Sequence, residues 1–204
     1  MSDRRDELLE HAVDYALVHG IGSLTLRPLA RALGTSDRML VYHFGGKDQL
    51  VDSVLSRAYD RWFHELDRRP RTARSPRAAV RRLWAAVTSA PLAPCMRLYL
   101  EVAALSMYDP TRYRSVNTWM TDRWRAAIVE WLVAAGADPT RARAAAPLVA
   151  AALDGLHVEL IVTGDARPLA PAVRRLADWA EAETRPATRV PSATTAASAS
   201  PSRR

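Results

Sequence analysis

The stretch from Thr25 to Leu50, TLRPLARALGTSDRMLVYHFGGKDQL, constrains the chain most, because two short helical patterns there flank a tight turn. Leu26, Leu29, Ala30 and Leu33 follow the spacing of one apolar helix face. Thr25 stands where a hydroxyl can cap the first turn, and Pro28 still falls within that turn. Gly34 supplies the left-handed backbone of a sharp exit, and Thr35 and Ser36 then offer hydroxyls to cap a second helix through Met39, Leu40 and Phe44. With Leu40 and Phe44 turned inward, Ser36, Asp37, Arg38, Tyr42 and His43 remain on the outer face. The pattern is a helix-turn-helix, whose second helix can meet base edges and phosphates in a major groove.

The flanking sequence supports this unit. Leu9, Ala12, Val13, Ala16 and Leu17 line one face of a helix over residues 4–19, which His19-Gly20-Ile21-Gly22 ends. After the flexible Gly45-Gly46 turn, Lys47 begins a long helix over 47–66, with Leu50, Val51, Val54, Leu55, Ala58, Trp62 and Leu66 recurring every three or four residues. That helix links the reading unit to the remainder of the chain.

From Gly34 through His43-Phe44 to Lys47 and Leu50, the sequence resembles the DNA-binding domain of the tetracycline-repressor (TetR) family of transcriptional regulators. The close resemblance covers about residues 4–55; beyond it only the helical layout is similar. It implies an all-α protein with a three-helix helix-turn-helix domain at 1–48, a helical effector-binding and dimerisation domain at 49–183, and a tail at 184–204. It further implies DNA contacts from Thr25, Arg27, Thr35, Ser36, Asp37, Arg38, Tyr42, His43 and Lys47, with Thr25, Arg27 and Lys47 on phosphates. Two positions depart from the family pattern. Val41 stands where many members carry an aromatic, which leaves more of the phosphate role to Tyr42, and Asp37 suits a helix N-terminus but repels phosphate.

The rest of the chain reads as helices throughout. The segment 67–82 carries seven arginines around Pro70 and Pro76; charge runs usually lie in water, so a solvated loop is favoured over a second nucleic-acid patch. Ser75-Pro76 has the form of a helix start. Apolar faces then recur at Val80, Leu83, Trp84 and Val87, at Cys95, Leu98, Tyr99, Val102 and Leu105, and along 113–131. From Leu148 to Val162 a helix is apolar on nearly all sides, begun or kinked by Pro147 and interrupted by Asp154, His157 and Glu159; such a helix must be covered twice. A last amphipathic helix carries Leu169, Ala172, Val173, Leu176 and Trp179. These two helices are the expected homodimer interface, through Leu153, Leu156, Leu160, Ile161, Val173 and Leu176. Residues 184–204 hold no Leu, Ile or aromatic side chain and are expected to be mobile.

Composition narrows the function. The net charge of +7 does not come from the motif, since the first 70 residues hold 10 basic and 11 acidic side chains. DNA binding must rest on placement, and Lys47, the only Lys among 29 basic residues, sits at a motif position. The single Cys95 excludes an intrachain disulfide, no secretion signal opens the chain, and the apolar run from Ala144 to Leu153 is too short to span a bilayer, so a cytoplasmic protein is expected. No phosphate loop, G-x-S-x-G or H-E-x-x-H is present, and His11, His19, His64 and His157 lack partners at metal-ligand spacing, so neither enzyme, cofactor nor metal is indicated.

All six tryptophans lie beyond the motif domain. Trp84, Met96, Tyr99, Met107, Tyr113, Trp119, Trp124 and His157 are therefore candidate walls of a pocket for a small hydrophobic effector, although each alone suits a plain core. His157 stands three residues beyond Asp154 in an apolar helix, so the pair can form a buried hydrogen bond or orient a polar ligand group. Three functions compete: a dimeric repressor released from a palindromic operator by an effector, a constitutive DNA binder, and an all-helical enzyme. The motif disfavours the last, and about 120 further helical residues disfavour the second.

Overall fold

A computed structural model describes residues 2–185 as nine helices and connecting turns, with no strand among the described residues. They are α1 (Ser2–His19), α2 (Leu26–Ala32), α3 (Asp37–Phe44), α4 (Lys47–Asp67), α5 (Pro76–Val87), α6 (Ala93–Leu105), α7 (Pro110–Ala134), α8 (Pro139–Thr163) and α9 (Leu169–Thr184). The expected tail lies outside the described residues except at its start, where Thr184 is buried as the last residue of α9.

Local chemistry sets most of the boundaries. Ser75 caps α5 by accepting from the Ala78 amide, Asp109 caps α7 through the Arg112 amide, and Asp138 caps α8 through the Thr140 and Arg141 amides. Gly45 and Gly164 close α3 and α8 with left-handed backbone, at φ 88° and 67°. Two expectations are corrected. The apolar helix begins at Pro139, not near Leu148, because the Asp138 cap and a run of alanines carry it through Pro147 without a break. Thr25 occupies the cap position of α2, but its side chain accepts no hydrogen bond there.

One hydrophobic core runs through the chain, and α4 is its spine. Leu50, Val51 and Val54 at its N-terminal end pack with α1 and α3, while Leu55, Ala58, Tyr59, Trp62, Phe63 and Leu66 continue into the helices beyond. Each buried Leu, Val or Phe among them contributes about 1.5–3 kcal/mol of burial. Arg57 and Arg61 of α4 also pair with Glu10 of α1, and Arg61 reaches Asp14 at 2.7 Å.

Beyond α4, α5 packs on α9, and α8 lies between α7 and α9. By length and hydropathy α8 would suffice to cross a membrane, yet Ala142, Ala145, Ala146, Val149, Ala150, Leu153 and His157 along one face are buried in the protein. Only 33% of its most apolar window is covered, so the opposite face presents an apolar surface. That surface holds Leu148, Val158, Ile161 and Val162, with Ala151 and Gly155 between them.

Polar contacts join α6 and α7 to the first helices. The Glu101 carboxylate of α6 accepts from the Ile21 amide at 3.1 Å and the Gly22 amide at 2.9 Å, in the turn between α1 and α2. One turn earlier, Arg97 donates to the Leu17 carbonyl at 2.6 Å. Arg112 of α7 binds Asp52 at 2.7 Å and the Asp48 carbonyl at 2.9 Å, both in α4.

The Glu101 contact needs a bare backbone at Gly20, where φ is +80° and an added Cβ would lie 2.7 Å from a Glu101 carboxylate oxygen. Gly20→Ala is expected to lower the unfolding free energy by about 1–3 kcal/mol in a urea titration. An unchanged midpoint would mean that the carboxylate and the turn give way without loss.

Candidate nucleic-acid interface

The outer surface of α3 is built by its cap and its two inward anchors. Ser36 accepts from the Met39 amide at 3.2 Å, and Asp37 accepts from the Arg38 amide at 3.0 Å, so both side chains begin the helix as well as face outward. Leu40 and Phe44 are buried, and Arg5 of α1 lies over the Phe44 ring and donates to the His43 carbonyl at 3.2 Å. Those contacts fix how α3 projects.

Arg38 and Tyr42 stand in solvent, with Tyr42 64% exposed. Met39 and Val41 are also exposed, although Met39 falls among the apolar positions of the helix pattern. A short helix packed through two residues leaves most of its circumference open. His43 differs from its expected placement, being half-buried with an unpartnered Nε2 and its ring edge-on to Tyr42. Thr25 and Arg27 at α2 and Lys47 at the start of α4 are exposed, and Thr35 is half-buried in the turn. Arg27, Arg38 and Lys47 form no ion pair among the described residues. Three unneutralised cations and the free Thr25 hydroxyl thus border an exposed helix, although the surrounding sequence is charge-balanced.

The candidate effector residues do not ring a single cavity. Met96, Tyr99, Trp124 and His157 are buried, and Trp84 and Tyr113 pack half-buried against the core. Trp119 borders a shallow cleft with Asp52, Ser56, Ser115 and Val116, and Met107 is 76% exposed. What does gather is polar. Tyr99 of α6 reaches Asp154 of α8 at 3.5 Å, the Asp154 Oδ1 and the His157 Nδ1 have no partner, and His157 meets the Trp84 ring edge-on. His157 also borders a groove of about 280 Å³ between α6 and α8. Of the two readings of this pair, a hydrogen bond between Asp154 and His157 is not made: Asp154 is engaged by Tyr99 on one oxygen only, and the His157 Nδ1 is left without a partner. Burial pushes the Asp154 carboxyl up to about 6, with the Trp124 indole and Tyr99 hydroxyl pulling it back, and burial pushes the His157 imidazole down.

The candidate dimer residues also divide. Leu153 and Val173 are buried within the single chain and are removed from an outer interface, because α7 and α9 cover Leu153 and α9 turns Val173 inward. Leu156, Leu160 and Leu176 are half-buried, and Ile161 is exposed.

Comparison with known proteins follows the same division. The family described as bacterial regulatory proteins, tetR family, matches residues 8–54. The HTH-type transcriptional regulator BetI of Burkholderia thailandensis is 29% identical over 166 residues, covering 79% of this chain and 83% of its own. A TetR-family regulator from Rhodococcus sp. superposes with a TM-score of 0.67 at 21% identity, covering 90% of this chain and all of that one. A regulator from Saccharomonospora viridis, solved in complex with choline, gives 0.63 at 22% identity over 88% of this chain and 96% of its own. These structural likenesses establish the fold.

Asp154 gives a pH-dependent test. Its folded-state pKa of about 6 lies above the ordinary 3.8, so the folded chain holds the proton more tightly; that stabilisation is present below about pH 4 and lost as pH rises through 6. Asp154→Asn is expected to exceed the parent in stability by on the order of 1–3 kcal/mol at neutral pH, with the gap closing near pH 4, in urea titrations at both. A gap independent of pH would contradict the burial of this carboxyl.

Proposed function

The chain belongs to the TetR family and is a DNA-binding transcriptional regulator, and from that premise we propose that it is a cytoplasmic repressor that leaves a palindromic operator when a small molecule binds. The exposed, cation-bordered face of α3 carries this reading. Arg38, Tyr42 and the outer parts of Ser36 and His43 read bases, joined by the flanking Thr35 and Asp37, while Thr25, Arg27 and Lys47 hold phosphates. The DNA-binding unit takes residues 1–48, and residues 49–183 form the sensing and pairing unit joined to it through α4.

A two-fold dimer supplies the operator's symmetry. The outward stripe of α8, from Leu148 through Ala151, Gly155 and Val158 to Val162, supports pairing with the same helix of a second copy, flanked by Ile161 and the half-buried Leu176 of α9. Its small residues permit close approach, and its apolarity needs a cover.

The effector enters among α6, α7 and α8, where Asp154 and His157 offer unpartnered polar atoms within aromatic surroundings. A small apolar molecule bearing a donor for Asp154 suits them, and the choline-bound relative supports small-molecule capacity in this fold. Binding there shifts α6, and with it Arg97 and Glu101 on the α1–α2 region and α4 beside them. Release of DNA follows when the effector prefers the DNA-free arrangement, by the coupling free energy between the two sites.

A gel shift on the chain's own upstream DNA, with and without candidate effectors, tests the whole reading: retardation that a small molecule abolishes is expected, and retardation that none alters would leave a constitutive binder. Arg38→Ala is expected to cost on the order of 1–3 kcal/mol of DNA affinity and to relax preference at one base position, whereas Lys47→Ala weakens all sequences alike. Unchanged affinity and preference in Arg38→Ala would remove α3 as the reader. Val158→Glu is expected to yield monomers in sedimentation at micromolar concentration; a parent that is itself monomeric there would end the dimer reading.

A further inference from the structure

The arginine-rich segment after α4 is not simply a solvated loop. Asp67 and Glu130 neutralise Arg71, and Asp178 neutralises Arg77, but Arg69 and Arg82 turn toward a cleft of about 310 Å³ between the α4–α5 connection, α5 and α7. Pro70, Ala85 and Ala86 give it apolar walls, and Thr72 and Trp131 complete the lining. No carboxylate lines it.

The polar atoms around this cleft are donors in excess. Arg82 donates to the Thr72 hydroxyl at 2.8 Å and has no ion-pair partner among the described residues. Arg69 donates to the Ser89 hydroxyl at 2.9 Å, with Glu65 at 3.6 Å, yet its buried Nε has no acceptor. Trp131 is only 2% exposed, and its indole N–H is likewise buried without an acceptor. An indole nitrogen and a guanidinium can only donate. Leaving them unpaired in a buried setting costs free energy that an incoming acceptor would recover.

We propose that this cleft is a binding site for a small organic oxyanion, whose carboxylate or phosphate accepts from Arg69, Arg82 and Trp131 while its apolar body lies against Pro70, Ala85 and Ala86. The volume is at the small end of ligand sites and suits a single-ring acid. The planar guanidinium forks provide bidentate recognition of either headgroup. The site lies at the far end of α4 from Lys47 and is separate from Asp154 and His157, so it stands or falls independently of the effector reading.

The test uses the full chain with benzoate, phenyl phosphate and neutral benzamide as probes, followed by calorimetry and tryptophan fluorescence. At least one of the two anions is expected to bind saturably, and benzamide not to bind; which anion binds more tightly identifies the headgroup. Arg82→Gln, an exposed side chain whose loss leaves the core intact, is expected to weaken binding about tenfold or more, and Trp131→Phe to remove most of the fluorescence response, while the exposed Arg74→Gln changes neither. Absence of saturable anion binding, equal binding of benzamide, or an unchanged affinity in Arg82→Gln would overturn the proposal. Weaker duplex-DNA binding in Arg82→Gln without any small-anion binding would also overturn it and make these arginines a nucleic-acid patch.

Discussion

Burial of α4 along one continuous face is the interaction on which the rest depends. Its first turns belong to the packing of α1 and α3, and its later turns carry Tyr59, Trp62, Phe63 and Leu66 into the helices beyond. Because close-packed interiors transmit displacement, the reading helix and the distal helices are not free to move independently. The polar contacts of Glu101 with the α1–α2 turn and of Arg112 with α4 then act on a scaffold already joined by α4.

This arrangement relates regulation to chemistry that is modest at each contact. A carboxylate accepting two backbone amides forms charge-assisted bonds, and α6, which carries it, also carries Tyr99 on the Asp154 side of the core. The same short helix therefore faces the half-satisfied polar pair and grips the α1–α2 turn. Under the proposed function, an effector that discriminates between two positions of α6 would couple its binding to DNA reading without a large rearrangement.

The helical architecture was largely legible in the sequence because it depends on local signals. Ser75-Pro76 has the form of a helix start and the fold uses it so, and the spacing of Leu50 to Leu66 matches the buried face of α4. What local signals cannot encode is which face meets which partner. Leu153 and Ile161 look equivalent in an all-apolar helix, and only the positions of α7 and α9 make one core and the other surface. The grip of Glu101 on a turn 80 residues earlier had no local signature, nor did the pairing that leaves Arg82 without a carboxylate while Arg71 has two. On α3 the inward anchors Leu40 and Phe44 were evident, but neither the half-burial of His43 nor the reach of Arg5 from α1 to its carbonyl had a local signature.

The claim that α6 governs the reading unit through the α1–α2 turn is tested most directly by amide hydrogen exchange at Ile21 and Gly22, compared between the parent and Glu101→Ala and set beside their affinities for the chain's own upstream DNA. Faster exchange at these two amides, unchanged protection along the buried face of α4, and altered DNA affinity are predicted. Parent-like exchange at Ile21 and Gly22, or faster exchange with DNA affinity unchanged, would contradict it.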